Sequence, residues 1–230
     1  MAKLTLVPTP ISDHKPWDAE TIETLRKAFI GGSAIVVEEH KIARRKWIAN
    51  GLPREAIDKF ICLNEHTKVD TNQQVLSLLK SGVDTYLMSD CGLPAFCDPG
   101  QELVDICHNE RIKVTALSFP NSVILALSLS GFKSDTFFFG GFIPRENRLK
   151  GLKQLDQRRE TVILMDTPYR LSKVLEELKQ IGVKRQVFVG IDLNCDSEML
   201  VRGTIEQVVK DLNNVNKREF VLVLGPYDGR

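Results

Sequence analysis

Short β-type runs alternate with amphipathic helical stretches along the chain, and this alternation restricts the fold more than any other feature. The strand candidates are Leu4–Val7, Ala34–Val37, Phe60–Leu63, Thr85–Met88, Lys113–Leu117, Thr136–Gly140, Thr161–Met165, Gln186–Ile191 and Glu219–Leu224. Between them lie helical patterns such as AETIETLRKAFI, where Ile22, Leu25, Ala28 and Phe29 share one stripe. TNQQVLSLLKSG and LSKVLEELKQIG each end in a glycine suited to a helix C-cap. Parallel strands need long crossovers, and helices supply them, so the pattern predicts an α/β fold with mostly parallel or mixed sheets. A break near Gly131–Ser134 divides it into an N-terminal α/β domain over 1–132 and a C-terminal α/β domain over 133–230.

Composition removes several classes of function. A formal net charge of +1 excludes a strongly basic nucleic-acid binder of the histone kind, though not a local basic face. The first residues carry only a short apolar run before Pro8, which does not read as a signal peptide. VILALSLSGF is broken by Ser128, Ser130 and Gly131, well short of the roughly 20 apolar residues a membrane span needs. Five cysteines without a CxxC pair read as reduced thiols in a cytoplasmic chain, with neither a metal nor a redox centre at Cys91 and Cys97.

The chemically interesting residues fall where strands end, the usual place for a ligand in such folds. The first strand runs into PTPISD, the second into EEHK, the third into NEH, the fourth into SDCGLPAFCDPG and the fifth into SFPNSV. In the second half, DTPYR follows a strand in the same way. No GxxxxGK[ST], GxGxxG, GxSxG or HExxH is present, so phosphoryl transfer, dinucleotide hydride transfer, serine hydrolysis and zinc hydrolysis lack their usual machinery. A connecting loop does not need as many constrained backbones and acids as residues 89–100 carry.

The ordered set TPI, SDCGLPAFCDPG, SFPNSV, FFFGGFIPR, DTPYRL and REFVLVLG resembles the tetrapyrrole methylase superfamily of S-adenosylmethionine (SAM)-dependent methyltransferases. It is most similar to the branch that methylates a ribose 2′-hydroxyl of small-subunit ribosomal RNA, with patterns TPIGN, EDTR, SDAGTPxISDPG, PGPSA, ESPHR and GEFVLV. The resemblance runs from about Leu4 to Gly225, and its long SDxGxPxxxDPG stretch is the specific part. It implies two α/β domains, SAM in a cleft between them, no metal, and a homodimer.

Carried onto this chain, the resemblance implies cofactor contacts from Pro10, Ser89, Asp90, Cys91, Gly92, Ala95, Ser118, Ser122, Met165, Tyr169 and Leu193. Asp90 would accept from the cofactor ammonium, and Asp98 with Pro99 would start the next helix as N-cap and N1. Ser122 either touches ligand or caps its helix, and Met165 and Leu193 either line an adenine pocket or pack in the core. Two loops depart from the family: TPIGN has become TPISD and EDTR has become Glu38-Glu39-His40-Lys41. Both face the acceptor, so the donor is read more firmly than the acceptor. Glu39 and Asp13 lead as general-base candidates, followed by His66 and His40; alternatively Glu38 and Glu39 only cap a helix or pair with neighbouring cations. Lys41, Arg44, Arg45, Arg145 and Arg148 are the candidates for the RNA backbone, with Trp47 for stacking, and the alternative is a solvated helix face. Small-subunit rRNA is the leading acceptor. The rivals are a small molecule such as a tetrapyrrole, and a SAM-binding module without transfer activity.

Overall fold

The computed structural model describes residues 2–11, 15–65, 67–118 and 121–227. The chain divides into two compact units, 1–119 and 120–230. The first contains β1 (Lys3–Val7), α1 (Ala19–Ile30), β2 (Ala34–Val37), α2 (His40–Ala49), β3 (Ile61–Cys62), α3 (Lys68–Lys80), β4 (Thr85–Met88), α4 (Gln101–Asn109) and β5 (Lys113–Ala116). Its five strands lie in the order β3-β2-β4-β1-β5, and every pairing is parallel.

That order makes the chain step one way from β1 through β2 to β3, and the other way through β4 to β5. Crossovers are right-handed, so the reversal sends helices to opposite faces of the sheet. The buried clusters agree with this. Leu25, Ala28, Ala43 and Trp47 of α1 and α2 pack with Val7, Ile35, Val37, Tyr86 and Met88. Val75, Leu79, Leu103 and Cys107 of α3 and α4 pack with Leu4, Val36, Leu63 and Leu87. Consecutive residues of each strand alternate between the two clusters, as the period of two requires. At β4 the neighbouring crossovers part, leaving a crevice beyond the carboxyl ends of β2, β4 and β1.

The second unit contains α5 (Ser122–Ser130), β6 (Phe137–Phe142), α6 (Arg148–Asp156), β7 (Thr161–Met165), α7 (Leu171–Gln180), β8 (Val187–Ile191), β9 (Met199–Gly203), α8 (Ile205–Asp211) and β10 (Phe220–Leu224). Its sheet runs β6-β7-β10-β8-β9, with β6 and β7 parallel and the other pairs antiparallel. Helices α6, α7 and α8 cover one face through Leu152, Leu171, Val174, Leu178, Ile205 and Val208. Helix α5 packs against β8 and β10. None of its buried residues joins that cluster, so it covers the other face, toward which Phe188, Val221 and Val223 alternate.

The structure differs from the sequence expectation at two elements. The sequence places helix α5 in the first domain, with a boundary at 132/133. It belongs to the second, because its apolar side chains are buried on β8 and β10. Strand β9 was not anticipated: as an edge strand it buries only alternate residues, and MLVRG follows a polar loop.

Candidate active site at the strand ends

The loop after β4 is fastened from below before it can meet any ligand. Thr9 and Gly92 form an isolated antiparallel bridge, with Thr9 N donating to Gly92 O at 2.8 Å and Gly92 N to Thr9 O at 2.9 Å. The Thr9 hydroxyl donates to Ser89 O at 2.8 Å, and the Ser89 hydroxyl is shared between Cys91 O and Gly92 O at 3.2 and 3.1 Å. Trp17 Nε1 holds Pro8 O at 3.0 Å, and the Cys91 thiol donates to Ile11 O at 3.5 Å. The ends of β1 and β4 are therefore one rigid platform carrying Pro10, Ser89, Asp90, Cys91 and Gly92. A side chain at Gly92 would meet nothing within 4 Å, so the space over this residue is open, and its φ of +78° favours glycine.

Beyond Gly92 the loop holds unusual backbone. Ala95 and Cys97 have φ of 64° and 63°, a left-handed conformation that costs about 1–3 kcal/mol at each non-glycine position. Gly100, with φ +121°, is the N-cap of α4, and a Cβ there would stand 2.6 Å from the Leu87 side chain. This corrects the reading of Asp98 as N-cap and Pro99 as N1: the helix starts at Gln101, and Asp98 is left to face the site.

A second linkage joins β2 to β4. Asp90 N donates to a Glu38 carboxylate oxygen at 3.0 Å, while Glu39 N donates to Asp90 Oδ1 at 3.2 Å. The pairing is reciprocal and sets Glu38, Glu39, Asp90 and Asp98 around one crevice. Burial, and then the neighbouring Glu38, push the Asp90 carboxyl up to about 6. Burial, Glu38 and Asp90 push Asp98 up to about 7. Lys46 and the Glu39 N–H offset this only in part at Asp90, so the four acids make a place that favours a cation or a proton. Glu38, rather than Glu39, is the acid that builds the site, and its signal in the sequence is the EE pair. Among the described residues no group of three or more His, Cys, Asp or Glu has metal-holding geometry.

Glu39 occupies the N-cap position of α2, but its side chain makes no capping bond, and it is exposed. His40 is engaged elsewhere, with Nε2 3.1 Å from Ile57 O and its ring edge-on to Phe60. Asp13 and His66 lie outside the described residues. Ser118 is exposed beyond β5, and Ser122 sits at the first turn of α5. The cap of α5 is Asn121, whose side chain accepts from Ile124 N at 2.9 Å, so the capping role considered for Ser122 belongs to its neighbour.

In the second unit, Met165 and Leu193 lie at the same end of the sheet, because β10 pairs Val221 with Met165 and Phe220 with Ile191. Leu193 is buried against Gly190, and Met165 is half-buried. Tyr169 is 76% exposed on a short 3-10 turn, Pro168–Arg170, with the Lys217 ammonium 5.6 Å from its ring centroid. These two residues share a shallow depression of about 300 Å³ with Pro168, Leu171, Ser172 and Val215.

The basic candidates separate. Lys41, Arg44 and Arg45 are exposed on α2, and Arg145 is exposed before α6. Trp47 is fully buried, with Nε1 bonded to Pro53 O at 2.8 Å, so it is core and cannot stack on a base. Arg148 is likewise not a surface cation. It is buried, donates from Nε and Nη2 to Glu177, and from Nη2 to Asp166 at 2.8 Å. No described helix is long and apolar enough to cross a membrane.

Comparison with known proteins places this geometry in a family. Residues 20–209 match the family model described as Tetrapyrrole (Corrin/Porphyrin) Methylases. The Ribosomal RNA small subunit methyltransferase I of Bacillus subtilis (strain 168) is 32% identical over 227 residues, covering 97% of this chain and 75% of that protein. The crystal structure of a diphthine synthase superposes with a TM-score of 0.67 at 10% identity, covering 98% of this chain and 90% of the other. That of a uroporphyrin-III C-methyl transferase from Thermus thermophilus, complexed with S-adenyl homocysteine, does so with a TM-score of 0.56 at 14% identity, each chain 97% covered. The structural likenesses support the shared two-sheet fold, and the sequence match carries the assignment: the chain belongs to the tetrapyrrole methylase family, whose members are methyltransferases.

Proposed function

We propose that this chain is a SAM-dependent methyltransferase that methylates a ribose 2′-hydroxyl of small-subunit rRNA. The observation that carries the reading is the acid-lined crevice at the ends of β2 and β4, over a loop of the SDxGxPxxxDPG type. The residues fit SAM on their own chemistry. Asp90 and Asp98 lie among acids that Lys46 offsets only in part at Asp90, which suits an ammonium and a sulfonium, and the open space over Gly92 lets a ligand approach backbone. When bound, SAM supplies an electrophilic methyl group.

The chain's own part is to hold and to deprotonate. The platform of Thr9, Ser89 and Gly92 fixes the donor side, and alignment of donor and acceptor supplies much of the rate. Glu39 is proposed to draw the proton from a ribose hydroxyl, a reading supported by a carboxylate that caps nothing and is exposed beside Asp90. Asp13 shares this proposed role on the strength of the family resemblance alone. Met165, Tyr169 and Leu193 are proposed to line the adenosine side.

The acceptor is proposed from the relatives named for small-subunit rRNA, together with the exposed basic face of α2. Lys41 and Arg44, three residues apart, lie on one helix face. Replacing both with glutamine is expected to weaken RNA binding and to reduce the log–log salt slope by roughly 1–2, in a filter-binding titration over salt. An enzyme acting on a tetrapyrrole would keep its affinity for that substrate in this variant. We also propose that the protein acts in the cytoplasm, where small subunits are assembled, and as a homodimer, which gel filtration with light scattering tests.

A further inference from the structure

The second unit carries a cavity of about 510 Å³ at the end of its sheet opposite Met165 and Leu193. It opens where β8 begins and where β9 and β10 finish. Its lining includes Phe132, Lys133, Lys184, Arg185, Arg202 and Tyr227, and among the described residues it contains four cationic side chains and no carboxylate. Acids stand outside the lining: Asp135 pairs with Lys133 at 3.4 Å, Glu206 interacts with Lys184, and Asp156 and Glu160 interact with Arg185.

Arg185 gives the cavity its floor. It is 5% exposed, and its guanidinium donates to four backbone carbonyls: Nε to Gly225 at 2.6 Å, Nη1 to Asp156 at 3.2 Å and Arg158 at 3.0 Å, and Nη2 to Glu160 at 2.6 Å. Neutral carbonyls satisfy its hydrogen bonds, and the carboxylates that bear on its charge, Asp156 and Glu160, lie outside the cavity lining and offset it only in part. A buried full charge held this way projects a positive field into the adjoining space. The side wall is equally ordered. Phe132 lies against Gly225, where an added Cβ would meet its ring at 3.0 Å, and Arg202 covers the ring with its guanidinium carbon 4.5 Å from the centroid. The outer plane of Arg202 and the half-exposed ring of Tyr227 remain for a flat group.

We propose that this cavity binds a phosphate ester of a ribonucleotide, with Lys133, Lys184 and Arg202 on the phosphate and a base against Arg202 or Tyr227. The volume falls in the range of small-ligand sites, and Arg and Lys side chains over a buried charge recognise phosphate rather than an apolar ligand. Two sources present this chemistry, a phosphodiester within RNA and a free nucleotide. An RNA source would make the cavity a contact remote from the crevice, and only that attribution rests on the function proposed above.

The test compares the wild-type protein with Lys184→Gln/Arg202→Gln, both exposed positions, after circular dichroism shows equal folding. The probes are a fluorescein-labelled eight-nucleotide oligouridylate and uridine monophosphate, by anisotropy and calorimetry. The expected result is at least tenfold weaker binding of one or both probes by the variant, with calorimetric SAM binding unchanged. Tight oligonucleotide binding with weak monophosphate binding assigns the RNA source, and equal binding assigns the free nucleotide. Neither probe binding to wild type, or equal binding by wild type and variant, overturns the proposal. Methyl transfer to small subunits is measured alongside. If wild type shows no transfer but the variant still loses probe binding, the function proposed above fails while this site stands.

Discussion

Replacing Arg148 with alanine is expected to destabilise the second unit by about 3–5 kcal/mol, the cost of breaking a buried ion pair from one side. The arginine is 7% exposed, and its two acidic partners are 2% and 12% exposed. Without it, Asp166 and Glu177 would face each other in the interior with no counter-charge among the described residues beyond the more distant Arg170, 3.6 Å from Asp166. The same Asp166 accepts from Thr167 N at 2.8 Å and so shapes the turn that carries Tyr169. Urea titration separates the effect by unit. Both tryptophans, Trp17 and Trp47, lie in the first unit, so their fluorescence reports there, whereas far-UV circular dichroism reports both. The predicted result is a circular-dichroism transition at lower urea, with the tryptophan transition shifted less. An Arg148→Ala protein with wild-type transitions would mean that the triad contributes nothing to stability.

Replacing Asp90 with alanine is expected to weaken SAM binding by about tenfold to a hundredfold, as measured by calorimetry. This is the scale of about 1.5–3 kcal/mol for a hydrogen bond to a charged group. Part of the loss would come from Glu39 N, which would surrender its acceptor and release the link between β2 and β4. The pH dependence follows from the raised carboxyl values. Asp90 must be ionised to hold an ammonium, so affinity should fall as pH drops through about 6, and Asp90→Asn should flatten that dependence.

Stability should move the other way. The folded protein holds the Asp90 and Asp98 protons more tightly than the unfolded chain does, so these groups favour folding most below about pH 4. That contribution is lost as pH rises through about 6 for Asp90 and about 7 for Asp98. Asp98→Asn is therefore expected to raise Tm at pH 8 and to change it little at pH 4. Loss of SAM affinity together with gain of stability is the combination expected when charge repulsion is kept for a ligand.

The fold was legible because its main signal is periodic. Nine of the ten strands read from runs such as AIVV, TYLM and TVILM, which are buried on both faces and so appear as continuous apolar stretches. Strand β9 escapes because MLVRG follows a polar loop, exposes Leu200 and Arg202, and ends in Arg-Gly, so it carries no continuous apolar run. The unit to which helix α5 belongs is not legible in the sequence, because the helix is apolar on nearly every side and such a helix does not say which sheet it covers. The crevice loop was legible from its own density of Ser, Asp, Gly and Pro. Its acids were harder to rank. Glu38 and Asp98 gain their meaning from the β2–β4 pairing and from Gly100 displacing Asp98 as the cap, both of which depend on contacts far apart in sequence. Arg148 and Trp47 misled for one reason: within a basic stretch, burial cannot be told from exposure until the helix has a partner.

The most direct test of the central claim is labelled-methyl transfer from SAM to small ribosomal subunits prepared from a strain lacking this gene, run beside free rRNA and a tetrapyrrole. The account predicts label on the rRNA, mapped to a ribose 2′-oxygen, and strongly reduced label with Glu39→Gln. Label on the tetrapyrrole alone, or none on RNA despite measured SAM binding, would contradict it.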